Sequence, residues 1–207
     1  MHFPTRFARA ALAIAAPVAI VAVAVPAAAS PESDLAMFRS HLTGVQSMTA
    51  NFVQTDGRAR SAAGTLQLKR PGRIRFQYGS GDLLLVANNN RLTFLDYQVG
   101  QKSSWPLNKT PLAMLLTPNP NLKNRARIMP SQDPSVVVVR ARDPAAVGSL
   151  TLAFLRSPSA PGGLKLYGWT AVDGQNKKTT VKLTNQRYNV AVADAAFTYA
   201  EPKKRKR

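Results

Sequence analysis

The sequence contains no cysteine, so it can form neither a disulfide framework nor a thiolate metal site. Histidine is almost as scarce, with two in 207 residues, and a Ser-His-Asp triad would depend on His41. The chain also has no G-x-S-x-G elbow, no P-loop and no G-x-G-x-x-G motif. We therefore predict a protein that binds rather than catalyses, with no catalytic residue, no metal and no cofactor.

Long apolar runs are missing too, except at the start of the chain. Arg6 and Arg9 precede an uncharged apolar stretch, residues 10–29, which ends in three alanines before Ser30. A basic start, an apolar middle and an A-x-A exit are the three parts of a cleavable secretory signal. The stretch has about the 20 residues that span a bilayer, so a retained anchor is the alternative, but two prolines interrupt it. We predict a signal peptide over residues 1–29 and an exported, untethered protein.

Negative charge is also scarce, since 10 acidic residues face 28 basic ones and the net charge is +18. Such a charge favours anionic partners. In a cytoplasmic protein it would indicate nucleic acid; in an exported one, lipid headgroups or acidic protein surfaces are expected and nucleic acid is not. Residues 203–207 are all basic. We predict a disordered, solvated tail there, with a membrane-surface role as the alternative.

The rest of the chain has the alternation of a mostly β protein without a break in composition, which predicts one domain over residues 30–202. One helix is predicted near its start, capped by Ser33, with Phe38 and Leu42 at helical spacing and Gly44 at its end. Short strands at this spacing indicate an antiparallel barrel or a strongly curved half-barrel. The predicted strands are Ser47–Gln54, Gly64–Arg70, Arg73–Tyr78, Leu83–Ala87, Leu92–Tyr97, Gln101–Trp105, Ala126–Met129, Ser135–Ala141, Ser149–Phe154, Leu164–Val172, Thr179–Thr184 and Ala196–Ala200.

A short apolar helix is predicted in the middle of the chain, at Thr110–Leu116. Thr110 can cap it and Pro111 stands at the first helical position. The polar, Pro- and Asn-rich loops on either side give the segment freedom to move. The residues alone leave two interpretations open, an ordinary core helix and a movable cover.

Strand alternation places Arg70 on the same face as Leu66 and Leu68, with Ile74 and Phe76 sharing a face across the turn. A buried arginine is costly unless its donors are satisfied. Two interpretations remain: Arg70 reaches water from the strand end, or it lies inside a concave apolar surface and hydrogen-bonds a movable cover.

In their order and spacing, these segments resemble the periplasmic outer-membrane lipoprotein carrier family, the LolA proteins. The strongest match is Gly64–Phe76, a strand, Lys-Arg-Pro, a turn and a second strand with an aromatic residue. The resemblance runs from about Leu35 to Pro202. The supporting segments are Phe52-Val53-Gln54, Leu84-Leu85-Val86, Thr110–Leu116, Trp169–Asp173, Thr180–Leu183 and Phe197-Thr198-Tyr199.

The resemblance implies a periplasmic carrier with an incomplete antiparallel β-barrel, a half-barrel, and a helical lid. Its concave face would take the acyl chains of lipoproteins, and Arg70 would hydrogen-bond the lid in the closed, empty form. The residues expected to line the cavity are Leu66, Leu68, Ile74, Phe76, Leu84 and Val86, and those of the lid helix are Leu112, Met114, Leu115 and Leu116.

The implied partners are lipoproteins, an inner-membrane lipoprotein-releasing transporter, and an outer-membrane acceptor or the outer membrane itself, with the carrier a monomer. A related half-barrel that carries another lipid or senses lipoproteins is the nearest alternative. Two alternatives come from other classes. One is an exported hydrolase that uses His41 or a carboxylate pair, and the other is a basic structural protein of the envelope.

Overall fold

The computed structural model describes residues 30–79, 81–144 and 146–203. The predicted signal peptide, over residues 1–29, and most of the predicted basic tail lie outside the described residues. Within the described ranges, none of the helices has the length and hydropathy needed to cross a membrane.

Eleven strands of the described chain form a single sheet in which every pair of neighbours is antiparallel. The order is β6-β5-β4-β3-β2-β1-β11-β10-β9-β8-β7, so two meanders are joined by the pairing of the first strand with the last. The sheet is not closed into a barrel, which confirms the predicted half-barrel. The strands are β1 (Ser47–Asp56), β2 (Ser61–Lys69), β3 (Arg73–Tyr78), β4 (Leu83–Asn88), β5 (Arg91–Asp96), β6 (Gln101–Pro106), β7 (Ala126–Met129), β8 (Val136–Ala141), β9 (Ser149–Arg156), β10 (Leu164–Val172) and β11 (Lys178–Tyr188).

The predicted strand at Ala196–Ala200 is wrong. The chain forms a 3-10 helix there, Asp194–Phe197, and then continues as irregular backbone. The guanidinium of Arg75 donates to the carbonyls of Ala196 and Thr198 at 3.2 and 3.0 Å. These bonds from the side chain of Arg75 replace the backbone hydrogen bonds that a neighbouring strand would make. The alternation of small and apolar residues in this segment is therefore not the sign of a strand.

The N-cap of the first helix, α1 (Pro31–Gly44), lies three residues before the predicted cap, Ser33. Ser30 is the N-cap, because its Oγ accepts from the amide of Ser33 at 3.2 Å. Pro31 then occupies the first helical position, where a missing amide hydrogen is harmless. The acidic side chain of Asp34, in the first turn, is favoured by the positive end of the helix dipole.

The second helix, α2 (Ala113–Leu116), is shorter than predicted, and Thr110 does not cap it. The hydroxyl of Thr110 donates instead to the carbonyl of Leu107 at 2.8 Å, at the end of a preceding 3-10 helix, Leu107–Lys109. The segment between β6 and β7 is therefore a chain of short turns. We call residues 107–122 the lid segment.

The two faces of the sheet carry separate hydrophobic clusters. The inner face, covered by α1 and the lid segment, holds the main cluster. The outer face is covered near β3, β4 and β5 by the C-terminal strap, which we define as residues 190–201. Phe197 and Val192 of the strap pack against the outer face, and Asp194 pairs with Lys69 at 2.5 Å and Arg73 at 2.7 Å.

Candidate functional site

The apolar patch predicted on β2 and β3 lies on the inner face. Leu66 is directly opposite Phe76 and Leu68 directly opposite Ile74. All four side chains belong to the main cluster and are at most 3% exposed. Because side chains alternate along a strand, the two strands together present a continuous apolar patch beneath the helices.

Aromatic side chains extend this patch across the middle of the sheet. Phe76 meets the rings of Phe52 and Trp169 edge to face, with centroids 5.2 and 6.0 Å apart. Tyr78 also packs edge to face against Phe52 and donates from its hydroxyl to Gln54 at 2.8 Å. Burial raises the pKa of Tyr78 to about 12, so it stays neutral at physiological pH.

Leu84 and Val86 do not line this surface, and the expectation that they do is wrong. The inner residues of β4 are Leu85, opposite Phe76, and Ala87. Leu84 and Val86 point to the outer face, where they belong to the second cluster beneath the C-terminal strap. The apolar run of β4 shows no alternation, so the sequence did not define which of its faces is inner.

The lid segment packs its apolar side chains into the main cluster. Met114, Leu115 and Leu116 are buried, and Leu112 is half-buried against the same cluster. Leu122, at the end of the segment, is 2% exposed. The four residues predicted for the lid helix therefore all contact the inner face, although only three of them lie within α2 itself.

Arg70, immediately after β2, joins the ends of both helices to the sheet. Its side chain is buried, and Nε donates to the carbonyl of Leu115 in α2 at 2.9 Å. One Nη donates to the carbonyl of Val45 at 2.7 Å and to that of Leu42. The guanidinium therefore lies inside and bonds the helices that cover the inner face, which excludes the interpretation in which Arg70 reaches water from the strand end. That this cover moves stays a prediction.

The partners of Arg70 are backbone carbonyls where the two helices end. Such carbonyls lack intrahelical partners and carry partial negative charge. They satisfy the guanidinium in a site where burial lowers the pKa of Arg70 to about 10. The side chain therefore remains a cation at neutral pH, held by oriented dipoles.

The turn after Arg70 holds the lid segment at a second point. The amide of Gly72 donates to the carbonyl of Leu116 at 3.0 Å, and Gly72 has a φ of 69°, which favours glycine. A cleft of about 580 Å³ opens along this seam, between the turn and the outer edge of α2. Two adjacent carbonyls of α2 are thus bound by the β2–β3 turn.

His41 is a structural residue of α1 that the sequence offered only as a triad candidate. It is 3% exposed, its Nδ1 lies 3.0 Å from the carbonyl of Pro161, and its ring packs against Phe154 and Tyr188. Burial, aided by the nearby charge of Arg70, lowers the pKa of His41 to about 4. The ring is neutral at pH 7 and adds no second charge beside Arg70.

Over the described ranges, no three or more histidine, aspartate or glutamate side chains come together in a group that could hold a metal ion.

The family model for the outer membrane lipoprotein carrier protein LolA matches residues 43–200, more than half of the chain. The chain belongs to the LolA family. Members of this family are periplasmic carrier proteins that bind lipids or lipoproteins and are not enzymes. No protein with a curated description matches this LolA-family chain.

Solved structures also resemble the chain, at low identity. LprF from Mycobacterium bovis is 15% identical, with 80% of this chain and 97% of that one covered and a TM-score of 0.40. The Pseudomonas aeruginosa MucA/MucB complex has 12% identity, coverage of 82% and 61%, and a TM-score of 0.45. A LolA-superfamily protein from Nitrosomonas europaea has 10% identity, coverage of 83% and 99%, and a TM-score of 0.43.

Proposed function

We propose that this protein is a periplasmic carrier that binds the acyl chains of lipoproteins on its inner apolar face and transfers them from the inner to the outer membrane. The observation that carries the proposal is the guanidinium of Arg70, which bonds α2 and the end of α1 over that face. Through these bonds, a few hydrogen bonds help to hold the helices over an apolar surface. No bond of the cargo is broken, so the role needs no catalytic group.

The free energy of burying the acyl chains of the cargo determines how much apolar surface such a carrier must offer. Burying an acyl chain is worth about 0.8 kcal/mol per methylene, so an anchor with tens of methylenes favours a membrane over water by roughly tens of kcal/mol. A soluble carrier must offer comparable apolar area and hide it when empty. In the closed form the inner residues of β2 and β3 are at most 3% exposed, so the lid must leave for cargo to enter.

The bonds that hold the lid have a suitable strength. A hydrogen bond from a charged donor contributes about 1.5–3 kcal/mol, and a neutral one about 1 kcal/mol. Helix α2 receives one bond of each kind from the β2–β3 turn, from Arg70 to Leu115 and from Gly72 to Leu116. Their sum is small beside the free energy of burying an acyl anchor, so cargo can displace the lid.

In this role the carrier would receive cargo from an inner-membrane lipoprotein-releasing transporter and deliver it to an outer-membrane acceptor or to the outer membrane itself. The test is extraction of lipoprotein from inner-membrane vesicles by the purified chain beginning at Ser30, followed by mass spectrometry of bound acyl chains. Soluble lipoprotein–carrier complexes are expected. Absence of both acyl lipid and extraction would overturn the proposal, and bound lipid without lipoprotein transfer would favour a carrier of another lipid.

Arg70→Leu tests the mechanism. Loss of the bonds to Leu115 and Val45 destabilises the closed empty form, so we expect retained or tighter acyl binding and slower release to an acceptor membrane. Arg73→Leu is the matched control, because it makes the same change at the first residue after the same turn, at a side chain that pairs with Asp194 on the outer face. Unchanged release by Arg70→Leu would remove Arg70 from the mechanism.

A further inference from the structure

Four arginines stand in two facing pairs on the hairpin at one edge of the sheet. Arg127 of β7 is directly opposite Arg140 of β8. Arg142 follows β8 and its amide donates to the carbonyl of Arg125 at 2.8 Å, so these two residues face each other beyond the first pair. We call Arg125, Arg127, Arg140 and Arg142 the arginine cluster.

The cluster lies on the outer face. The residues that alternate with it, Ala126 and Ile128 on β7 and Val139 and Ala141 on β8, belong to the main cluster of the inner face or pack against it. Alternation therefore turns the arginines outward. Three of them, Arg127, Arg140 and Arg142, are exposed, and the side chain of Arg125 is 40% exposed.

This arrangement is electrostatically unfavourable in the isolated protein. Like charges directly opposite each other on neighbouring strands destabilise a sheet. Over the described residues, the ion pairs of the cluster are limited to Arg125 with Asp143, at 3.0 Å. Three exposed guanidinium groups on one hairpin thus carry a local excess of positive charge that an anionic partner would relieve.

The surroundings of the cluster favour a lipid surface. The four arginines border a groove of about 580 Å³ on the outer face. The next facing pair along the hairpin is apolar, the half-buried Met129 and Val138. On the outer face of β10, Tyr167 is 42% exposed. An aromatic side chain with a polar tip suits the boundary between headgroups and acyl chains.

We propose that the arginine cluster is a docking surface for the anionic phospholipid headgroups of a membrane. Guanidinium groups bind phosphate oxygens in pairs of parallel hydrogen bonds, and the neighbouring apolar pair and Tyr167 contact the headgroup boundary. An acidic protein surface would neutralise the positive charge, but it would not explain the apolar pair, Met129 and Val138, beside the arginines. The inference rests on the proposed function for its biological sense, since a carrier between membranes must meet each of them.

The arginine cluster is connected directly to the end of the lid segment, so docking at the cluster also positions the lid. The amide of Arg125 donates at 3.0 Å to the carbonyl of Leu122, the last buried residue of the lid segment. Headgroups bound at the cluster would therefore hold the end of the lid segment beside the membrane, where acyl chains are exchanged.

The test is sedimentation of the chain beginning at Ser30, which contains every helix and strand of the structure, with lipoprotein-free vesicles of phosphatidylcholine and phosphatidylglycerol. The variant R127Q/R140Q/R142Q leaves the Arg125–Asp143 pair intact. Each basic residue near an anionic surface adds to the affinity for it, so the loss of three should weaken vesicle binding at least about tenfold and reduce its salt dependence.

The matched control is R39Q/R58Q/R187Q, which removes the same charge from three exposed arginines scattered over the molecule. It should weaken vesicle binding less than about threefold, as a change in net charge alone would. Equal losses in the two variants would overturn the proposal. So would loss of binding to polyglutamate without loss of binding to vesicles, which would assign the cluster to an acidic protein.

Because the vesicles contain no lipoprotein, the result is independent of cargo binding. Failure of extraction with intact vesicle docking would reject the carrier function alone, and the reverse result would reject the docking surface alone.

Discussion

The two helices cover the same inner face, but they are attached to it in different ways. Helix α1 has 14 residues and places Phe38 and Leu42, both 0% exposed, in the main cluster. Helix α2 has four residues between two irregular stretches. The guanidinium of Arg70 bonds backbone carbonyls at the C-terminal ends of both helices. One side chain therefore connects the firmly attached helix α1 with the short helix α2.

Further contacts of α1 have no counterpart on the short helix among the described residues. Asp34 pairs with Arg156 at 2.6 Å, and His41 meets the carbonyl of Pro161. Gly162 lies so close that a Cβ there would be 2.3 Å from the backbone nitrogen of His41. Long-range polar bonds and backbone contact fix α1 to the sheet, whereas α2 depends on apolar packing and two hydrogen bonds. We therefore expect α2, rather than α1, to be the cover that opens without unfolding of the sheet.

The largest expected effect compares the same substitution in the two helices. Leu42→Ala and Leu116→Ala remove equivalent side chains that are at most 1% exposed. Leu42→Ala should lower the free energy of unfolding by roughly 3–5 kcal/mol. The loss at Leu116 should be smaller, because it cannot exceed the free energy that holds the lid closed.

Urea denaturation followed by tryptophan fluorescence measures both losses, since Trp169 lies in the sheet. Hydrogen exchange should show the amide of Thr117, bonded to Ala113, opening more often than the amide of Val45, bonded to His41. Equal losses and equal exchange would mean that both helices belong to one cooperative unit, and the contrast between them would be lost.

A second prediction concerns acid, which should weaken α1. His41 has a pKa of about 4 in the folded protein and about 6.5 unfolded. Between these values the unfolded chain binds more protons, so stability falls as pH falls, by about 3 kcal/mol from pH 6.5 to pH 4. The bonds of Arg70 to α2 do not titrate in this range.

The measurement is the free energy of unfolding as a function of pH for the native chain and for His41→Gln. The variant should be flatter between pH 4 and pH 6.5, whatever its absolute stability. A slope that persists in the variant would assign the acid sensitivity to other groups.

The smallest expected effect is at the start of α1. Ser30→Ala removes the oxygen that accepts from the amide of Ser33, and loss of an N-cap costs about 1 kcal/mol. The thermal midpoint should fall slightly, while Ser30→Asp, which keeps an acceptor beside the helix dipole, should not lower it. A larger fall with Ser30→Asp would contradict the assignment of this cap.

Much of the sheet could be predicted, because turn residues and alternation are local. The strands β3, β7 and β10 have the predicted bounds, and the other eight differ from the predicted bounds by a few residues at one or both ends. Helix ends were less accurate. Serine is a favoured N-cap residue, so the residue type alone does not distinguish Ser30 from Ser33. The cap is the serine with extended backbone, which is Ser30, with a ψ of 154°.

The site was predictable where one face of a strand is polar. Leu66 and Leu68 alternate with polar residues on β2, as Ile74 and Phe76 do on β3, so the sequence alone determined which side chains face inward. Arg70 stood out for a similar reason, as a charge in register with two leucines.

Tertiary structure decided what alternation could not. Residues Leu83–Ala87 are apolar without interruption, because β4 is covered on both faces, by the main cluster inside and by the C-terminal strap outside. Only the pairing of β4 with β3 assigned Leu85 and Ala87 to the inner face and Leu84 and Val86 to the outer one. The partners of Arg70 were equally out of reach, since the carbonyls of Leu42 and Leu115 lie 28 and 45 residues away in sequence and become neighbours only when the chain folds.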